Sequence, residues 1–395
     1  MRHGPTKFSR NMVHYHRMRT FAYRLYPTKD QHHRLQQCLI ETRQAYNTML
    51  AYAKVQYEQT HTFPNKYDLD KAFAGTAGAY TPASTLQTIS DRLAKALKFF
   101  LNHRHERQAD GSARIGFPRF KQPNQWHSFR LRQYGAGDDV RLDGRHLVVP
   151  KKLGSRIKIK LHRPFEGTPK TVYMVKRANG HWYALVVCEQ LPVIDVVPTE
   201  DNRPAIGIDV GLKSFLTDSN GDTVANPRFF RTSQKILRRK QRTLSRRQKD
   251  SNRYKKAARS VAQTHVKIDR QRRDFHFKVA HHYALMYALI VVEHLNIVGM
   301  VKNRRLSTNI LDTGWASFLN ILQYKAESAG SEVRRIDARY TTQRCSNCGE
   351  VTPKSLSART HVCQHCSFVM DRDQNAALNI VRAGAQPCPR GHPDD

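Results

Sequence analysis

Four cysteines and three carboxylates are the residues whose types and spacing could do chemistry in this chain. Cys345, Cys348, Cys363 and Cys366 follow the pattern C-x2-C-x14-C-x2-C. Two residues between cysteines let both sulfurs of a turn face one ion. Two such turns complete a tetrahedral thiolate set, which suits Zn2+. A closed set of four thiolates leaves no open coordination position, so the expected zinc holds shape and hydrolyses nothing. The other cysteines, Cys38, Cys188 and Cys388, are scattered. An odd total with paired spacing favours metal binding in a reducing compartment over disulfides, and a cytoplasmic location is expected. Cys388 and His392, in the C-terminal tail, read as no site.

The carboxylates are Asp209, Glu293 and Asp373. Asp209 follows the apolar run Ala205–Ile208 and Glu293 follows Ala288–Val292. Both runs read as buried strands. Asp373 stands where the turn Asp371-Arg372-Asp373 leads into a helical stretch. Singly, a strand-end acid is most often solvated, and an acid at a helix start is most often a cap. Together they fit a recurring design. Hard cations such as Mg2+ take carboxylate oxygens. Two of them about 3.5–4 Å apart clamp the attacking and leaving oxygens of a phosphodiester. Strand ends of an α/β sheet are where such sheets bind ligands. Asp371 competes with Asp373 for the third position; Asp373 lies closer to the helical run and is preferred.

The charge balance names the partner. Across 395 residues, 67 Lys and Arg face 32 Asp and Glu, a net charge of +35. That excess calls for a polyanion, nucleic acid before any membrane surface. No apolar run approaches the roughly 18 residues of a membrane helix. The first residues, MRHGPTKFSR, lack the apolar core of a signal peptide. The basic peak is 228–259, where Asp250 is the only acid. Helix formers dominate it, so it reads as a helix laid along a phosphate backbone, with Arg238, Arg239, Lys240, Arg242, Arg246, Arg247, Lys255 and Lys256 as candidate contacts. Residues 111–135 mix Gly, Pro, aromatics and Arg. Such a stretch can stack on and neutralise a nucleic-acid strand, Arg119 and Lys121 being candidate contacts. A plain linker is an equal reading.

The remaining sequence supplies the elements that must position these groups. With 395 residues and 39% hydrophobic content there is enough for two to four domains with packed cores. Residues 1–17 read as a loose basic arm. Residues 18–26 alternate as a strand with Phe21, Tyr23 and Leu25 on one face. A capping box at Thr28–Gln31 and another at Ser84–Gln87 open two helices. The second carries Leu86, Ile89, Leu93, Leu97 and Leu101 on one face. A helix-turn-helix reader could sit in this helical stretch, but ordinary helix packing is the better reading. From 138 onward the period is two, with Ile157, Ile159 and Leu161 inward and hairpins at Asp143-Gly144 and Asn179-Gly180. These short antiparallel strands suggest a small barrel that includes 18–26. Residues 192–204 read as a linker, Val266–Leu289 as a long helix, Leu319–Ser328 as a helix stopped by Gly330, and Glu332–Ile336 as a strand.

The segments GIDVGLKSF, IVVEHLNI, TTQRCSNCG and the DRDQNAALNI that follows the last C-x-x-C resemble, in order, the signatures of the TnpB family. YRLYPTKDQ and GFPRFK, further upstream, resemble it as well, so the likeness spans nearly the whole chain. Members are transposon-encoded RNA-guided DNA endonucleases related to type V CRISPR effectors. The resemblance implies a multidomain chain of mixed α/β and β class. Residues 18–27 and 119–195 would form a wedge-type β-barrel, with 28–118 as a helical recognition insert. Residues 196–344 and 367–383 would form an RNase H-like RuvC nuclease domain, interrupted by a zinc finger at 345–366 and followed by a disordered tail at 384–395. It also implies Asp209, Glu293 and Asp373 as the acidic triad holding Mg2+, two ions being expected, with Zn2+ on the cysteines. The implied partners are a guide RNA and a target DNA with a short flanking motif, bound by a monomer. Two departures from the pattern, Phe277 and Ser367, touch none of the three acids. Two other readings remain: an RNA-guided DNA-binding protein without cleavage, and a transposase that needs no guide.

Overall fold

The computed structural model describes residues 18–104, 115–135, 140–190, 201–355 and 358–385. The expected basic arm, the first residues of the Gly-rich segment at 111, most of the 192–204 linker, and the tail with Cys388 and His392 lie outside the described residues. The chain divides into two compact units, 1–196 and 197–395.

In the first unit, β1 (Met18–Tyr26) buries Phe21, Tyr23 and Leu25, as the alternation predicts. α1 (Lys29–Thr60) opens on the expected capping box. The Gln31 amide donates to Thr28 Oγ1 at 3.3 Å, and Gln31 Oε1 accepts from the Thr28 amide at 3.0 Å. Its inner face carries Leu35, Leu39, Tyr46, Met49 and Ala53. α2 (Lys66–Ala72) and α3 (Ala83–His103) follow. The second expected capping box does not form. α3 starts two residues earlier, behind Pro82, whose carbonyl takes the Thr85 and Leu86 amides, so Ser84 lies inside the helix. A proline already fixed near φ −61° needs no side-chain cap to start a helix there. Leu86, Ile89, Leu93 and Leu97 are buried, but Leu101 is exposed near the helix end.

The strands β2 (Ser128–Leu131), β3 (Arg141–Asp143), β4 (His146–Val148), β5 (Arg156–Lys160), β6 (Thr168–Lys176) and β7 (Trp182–Glu189) complete an antiparallel sheet ordered β2-β6-β7-β1-β5-β4-β3. The strand at 18–26 does join it, at the centre, with Tyr23 opposite Ala184 and Leu25 opposite Ile159. A bridge between Tyr134 and Val140 ties the exit of β2 to the start of β3, the two outer strands. Both expected hairpins form, with Gly144 and Gly180 at positive φ. Leu161 lies one residue past β5 and is exposed, so the inward row ends at Ile159. Helices and sheet share one core.

In the second unit, β8 (Ala205–Val210), β9 (Ser214–Asp218) and β10 (Thr223–Ala225) form an antiparallel meander. α4 (Phe229–Ser245) and α5 (Asn252–Met286) follow, then β11 (Leu289–His294), α6 (Ile297–Val301), α7 (Ser307–Thr313), α8 (Trp315–Ala329) and β12 (Glu332–Asp337). β11 runs parallel to β8 and to β12, giving the order β10-β9-β8-β11-β12. A small hairpin of β13 (Thr360–Val362) and β14 (Val369–Asp371) leads straight into α9 (Arg372–Ala385). The basic peak is two helices, broken at 246–251 where Asp250 turns to φ +66°. The long helix expected from Val266 begins at Asn252, where Ser251 Oγ accepts the Tyr254 amide at 3.1 Å. Its amphipathic pattern is clear only where it meets the core, so sequence period alone misses the cationic first half.

One core residue gives the unit a pH dependence. His276 of α5 is fully buried, stacked on Phe215 and bonded through Nε2 to the Thr313 carbonyl at 2.9 Å. Burial, first of all, pushes its pKa down from 6.5 to about 4. The unfolded chain therefore takes up a proton that the folded one refuses. The stability held above pH 6.5 is lost as pH falls toward about 4. His276→Gln should flatten the fall of Tm across that window; an unchanged slope would remove His276 from the cause.

Candidate active site and its cysteine ribbon

β8 and β11 lie side by side with Ile208 opposite Val292, so the next residues, Asp209 and Glu293, stand at the same level near the ends of their strands. α9 crosses the same strands at very short range. A methyl group on Gly207 would lie 2.1 Å from the Ala377 carbonyl oxygen, and one on Gly384 would lie 2.3 Å from Val291 Cγ1. Only glycine lets helix and sheet backbones approach so closely. The first turn of α9, with Asp373, is thereby brought toward the ends of the strands that carry Asp209 and Glu293.

The acidic turn divides its labour. Asp371 Oδ1 accepts the amides of Asp373 at 2.8 Å and Gln374 at 3.1 Å, so Asp371 is the helix cap. Asp373 is left free of that role. Its Oδ1 accepts from Arg372 Nε at 2.9 Å and Nη2 at 2.7 Å, and its Oδ2 lies 3.8 Å from Arg359 Nη1.

Electrostatics link the three acids. Asp209 has its carboxyl deep among protein atoms and its pKa raised well above the usual range. Burial is the chief cause, followed by the charges of Glu293 and Asp373. Glu293 is buried and its pKa is also raised by burial, against the pull of the Thr341 hydroxyl, which donates to Oε1 at 2.5 Å. Carboxylates that repel one another in a shielded place are the donor set a hard cation relieves. The three carboxyl groups do not close as tightly as the four cysteines. Among the described residues, those four ligand sulfurs all lie within 4.8 Å of one another and could hold a metal ion.

The cysteines sit on two matching turns. The Gly349 amide donates to the Cys345 carbonyl at 2.9 Å, and the Ser367 amide to the Cys363 carbonyl at 3.1 Å. Gly349 and Ser367 both have positive φ, +85° and +57°. At Ser367 that conformation costs about 1 kcal/mol relative to glycine. Cys345 Sγ lies 3.7 Å from Cys366 Sγ, and Cys348 Sγ lies 3.5 Å from Cys363 Sγ. A tetrahedral zinc with Zn–S of about 2.3 Å has sulfurs about 3.8 Å apart, so the set fits that ion. Backbone amides, Cys366 first, pull the Cys363 thiol down to about 6, toward the thiolate a metal needs.

Three residues that the sequence reading missed join ribbon to acids. Asn375 Oδ1 accepts the Ser346 amide at 2.9 Å, and its Nδ2 donates to the Arg344 carbonyl at 2.8 Å. Asn379 Nδ2 donates to the carbonyls of Thr341 at 2.9 Å and Arg344 at 2.6 Å. Thr341 in turn holds Glu293. The available signal was two buried-face asparagines in one helix, a residue type that gains nothing there unless its amide is used.

Most of the candidate nucleic-acid contacts face solvent. Arg238, Arg239, Arg242, Arg246, Arg247, Lys255 and Lys256 are exposed. Lys240 is half-buried, its Nζ donating to Thr264 Oγ1 at 2.8 Å and the Ser260 carbonyl at 3.3 Å, where it ties α4 to α5. In the first unit Arg119 is exposed. Lys121 is half-buried, its backbone clasped by Asn47 at 2.8 and 3.1 Å.

The chain resembles known proteins over most of its length. A family model described as "Probable transposase" matches residues 186–304, and one described as "Cas12f1-like, TNB domain" matches 315–380. A third, "Helix-turn-helix domain", matches 17–62; there the structure has one strand and one unbroken helix, β1 and α1. A Streptomyces pristinaespiralis protein named "Putative RNA-guided DNA endonuclease" is 30% identical over 375 residues, 93% of this chain and 89% of the relative. Escherichia coli K12 InsQ, named in the same terms, is 29% identical over 385 residues, 93% and 92% of the two chains. The protein in a solved Cas12f1–sgRNA–target DNA complex aligns at a TM-score of 0.55 with 16% identity, over 90% of this chain and 83% of that one, so the fold is alike. By full-length likeness to such relatives, the chain belongs to the TnpB family.

Proposed function

We propose that the protein is an RNA-guided, Mg2+-dependent DNA endonuclease that binds a transposon-derived guide RNA and cuts target DNA beside a short flanking motif. The observation that carries this reading is the meeting of Asp209, Glu293 and Asp373 at one end of the β8–β11 pair, with Asp209 feeling the charge of the other two. The second unit acts as a RuvC-type nuclease domain, and the ribbon at 345–366, holding Zn2+, interrupts it before its last acid. Two Mg2+ ions bound to the three carboxylates would supply charge neutralisation at the phosphodiester and an activated water. The chain's own part is to hold the acids in place: Asp371 by capping α9, Thr341 by anchoring Glu293, and the two glycines by seating the helix.

The exposed cations of α4 and α5 suit a nucleic-acid backbone, and strand exchange between DNA and a guide is so nearly balanced that such contacts help tip it. In the first unit, a cavity of about 420 Å3 between α3 and the β2–β6 edge presents Arg92, Lys95, Arg130 and Tyr173, with Asp91 lying 2.9 Å from Lys95 and 3.9 Å from Arg130. This supports the helical insert and the neighbouring segment up to Tyr134 as the place where the flanking motif is read. The complex is a monomer with its RNA, acting in the cytoplasm. A guide-free transposase is less well supported, because the segment matching a helix-turn-helix model contains a single helix. The test is to purify the protein from cells carrying its flanking DNA and sequence the RNA that comes with it. A defined RNA should co-purify, and RNase treatment should abolish cutting of a matched target. Cutting that survives RNase would overturn the guide.

A further inference from the structure

Beside the carboxylates, within the second unit, lies a cavity of about 230 Å3 whose walls include Lys213, Arg228, Arg231, Arg359, Asn309 and Asp312. Four of these are cations and one is an acid. The acid is already engaged. Asp312 accepts the amides of Phe230 at 2.9 Å and Arg231 at 3.3 Å, and faces Arg272 Nη2 at 3.5 Å. It thus takes the place of a cap at the start of α4, where Arg228 supplies none. Lys213, Arg228 and Arg231 are exposed and make no side-chain ion pair among the described residues. The cavity therefore carries an excess of positive charge, since its one acid is also shared with Arg272 outside the lining. Arg359 joins it to the acids: the same guanidinium lines the cavity and lies 3.8 Å from Asp373.

We propose that Lys213, Arg228, Arg231 and Arg359 form a subsite for a phosphate of the substrate DNA strand neighbouring the one that is cut. The inference rests on the nuclease reading above and adds to it a means of fixing the strand's register. Lys213 follows Asp209 at the turn out of β8, and Arg228 and Arg231 bracket the start of α4. A phosphate held by all three would share Arg359 with Asp373, and the next linkage along the strand would then face the acids. Such contacts carry no base preference, so the subsite would serve any target sequence.

The test compares the RNA-loaded wild-type protein with an Arg228→Ala/Arg231→Ala variant, whose lost side chains leave the Asp312 cap intact. Binding of a labelled single-stranded oligonucleotide is measured in EDTA over a range of salt. The slope of log K against log salt should fall by up to about 0.7, the value for one phosphate on a single strand. Cleavage is then followed on oligonucleotides carrying one neutral methylphosphonate at successive positions. In the wild type, one position flanking the cut should slow cleavage at least tenfold, and in the variant that same substitution should cost nothing further. An unchanged salt slope, or a methylphosphonate penalty that persists in the variant, would overturn the subsite. A wild-type protein that cuts no DNA would instead sink the nuclease reading, while the salt slope would still decide whether the cations hold a DNA phosphate. Arg231→Lys alone should keep most of the slope, since a phosphate accepts either cation.

Discussion

Asp209→Ala protein should bind guide RNA and matched DNA within a few fold of wild type and cut at least a thousandfold more slowly. Asp209 is the acid with the most perturbed surroundings, half-buried and facing the charges of Glu293 and Asp373. Its removal takes a carboxylate oxygen from any Mg2+ held there, and the remaining pair cannot clamp both oxygens of the reacting phosphate. It leaves untouched the cationic helices expected to hold the nucleic acid. Without metal, the variant should be no less stable than wild type at neutral pH. An acid whose folded pKa is raised favours the fold below its ordinary pKa and loses that contribution as pH rises through the raised one, so at neutral pH its charge is a burden. The companion substitution Asp371→Ala separates the two acids of the turn. It removes a cap, costing about 1 kcal/mol, and should slow cutting far less. An Asp209→Ala protein that still cuts would end the assignment of the triad.

Cys363→Ser should have the largest effect on the fold. Four thiolates on structural zinc contribute roughly 10–16 kcal/mol of apparent binding energy in peptides at neutral pH. Three with a hydroxyl hold the ion far less well. The loss would not stay local. The turn carrying Cys345 is fastened to α9 through Asn375 and Asn379, and its approach is fastened to Glu293 through Thr341. Insoluble protein, or soluble protein with zinc below one per chain, a lower Tm and no cutting, is the expected result. Full zinc content and an unchanged melting curve would show that the four-thiolate set is wrong.

Much of this was legible in the residues. The C-x-x-C spacing brought four sulfurs together because a two-residue gap dictates a local turn, and local geometry is what a sequence states directly. The strand at 18–26, the first capping box and both hairpins were legible for the same reason. The choice between Asp371 and Asp373 was half legible: position suggested it, but only the amides of Asp373 and Gln374 reveal which carboxylate caps. The start of α5 was not legible, because its first half has no apolar stripe to report a period. Nor was the internal use of Lys240. In a run of cations, the one that turns inward is chosen by a hydroxyl twenty-four residues away on the next helix. The roles of Asn375, Asn379 and Thr341 depend on contacts across the fold, which no spacing encodes.

The close seating of α9 on the sheet also bears on how such a chain can vary over time. Between Asp371 and Gly384 every turn of the helix has a fixed duty: cap, acid, two asparagine anchors, and a glycine against Val291. One residue gained or lost there would turn the acid by about 100° relative to the anchors, since a helix has about 3.6 residues per turn. Between Thr352 and Arg359, outside the sulfur turns, no helix or strand forms among the described residues, and the Ala358 carbonyl, accepting from Arg372 at 3.1 Å, ties the stretch to the acids' helix only near its end. Length changes among descendants of this sequence should therefore gather in that loop and be purged from the helix, although the two lie only a few residues apart.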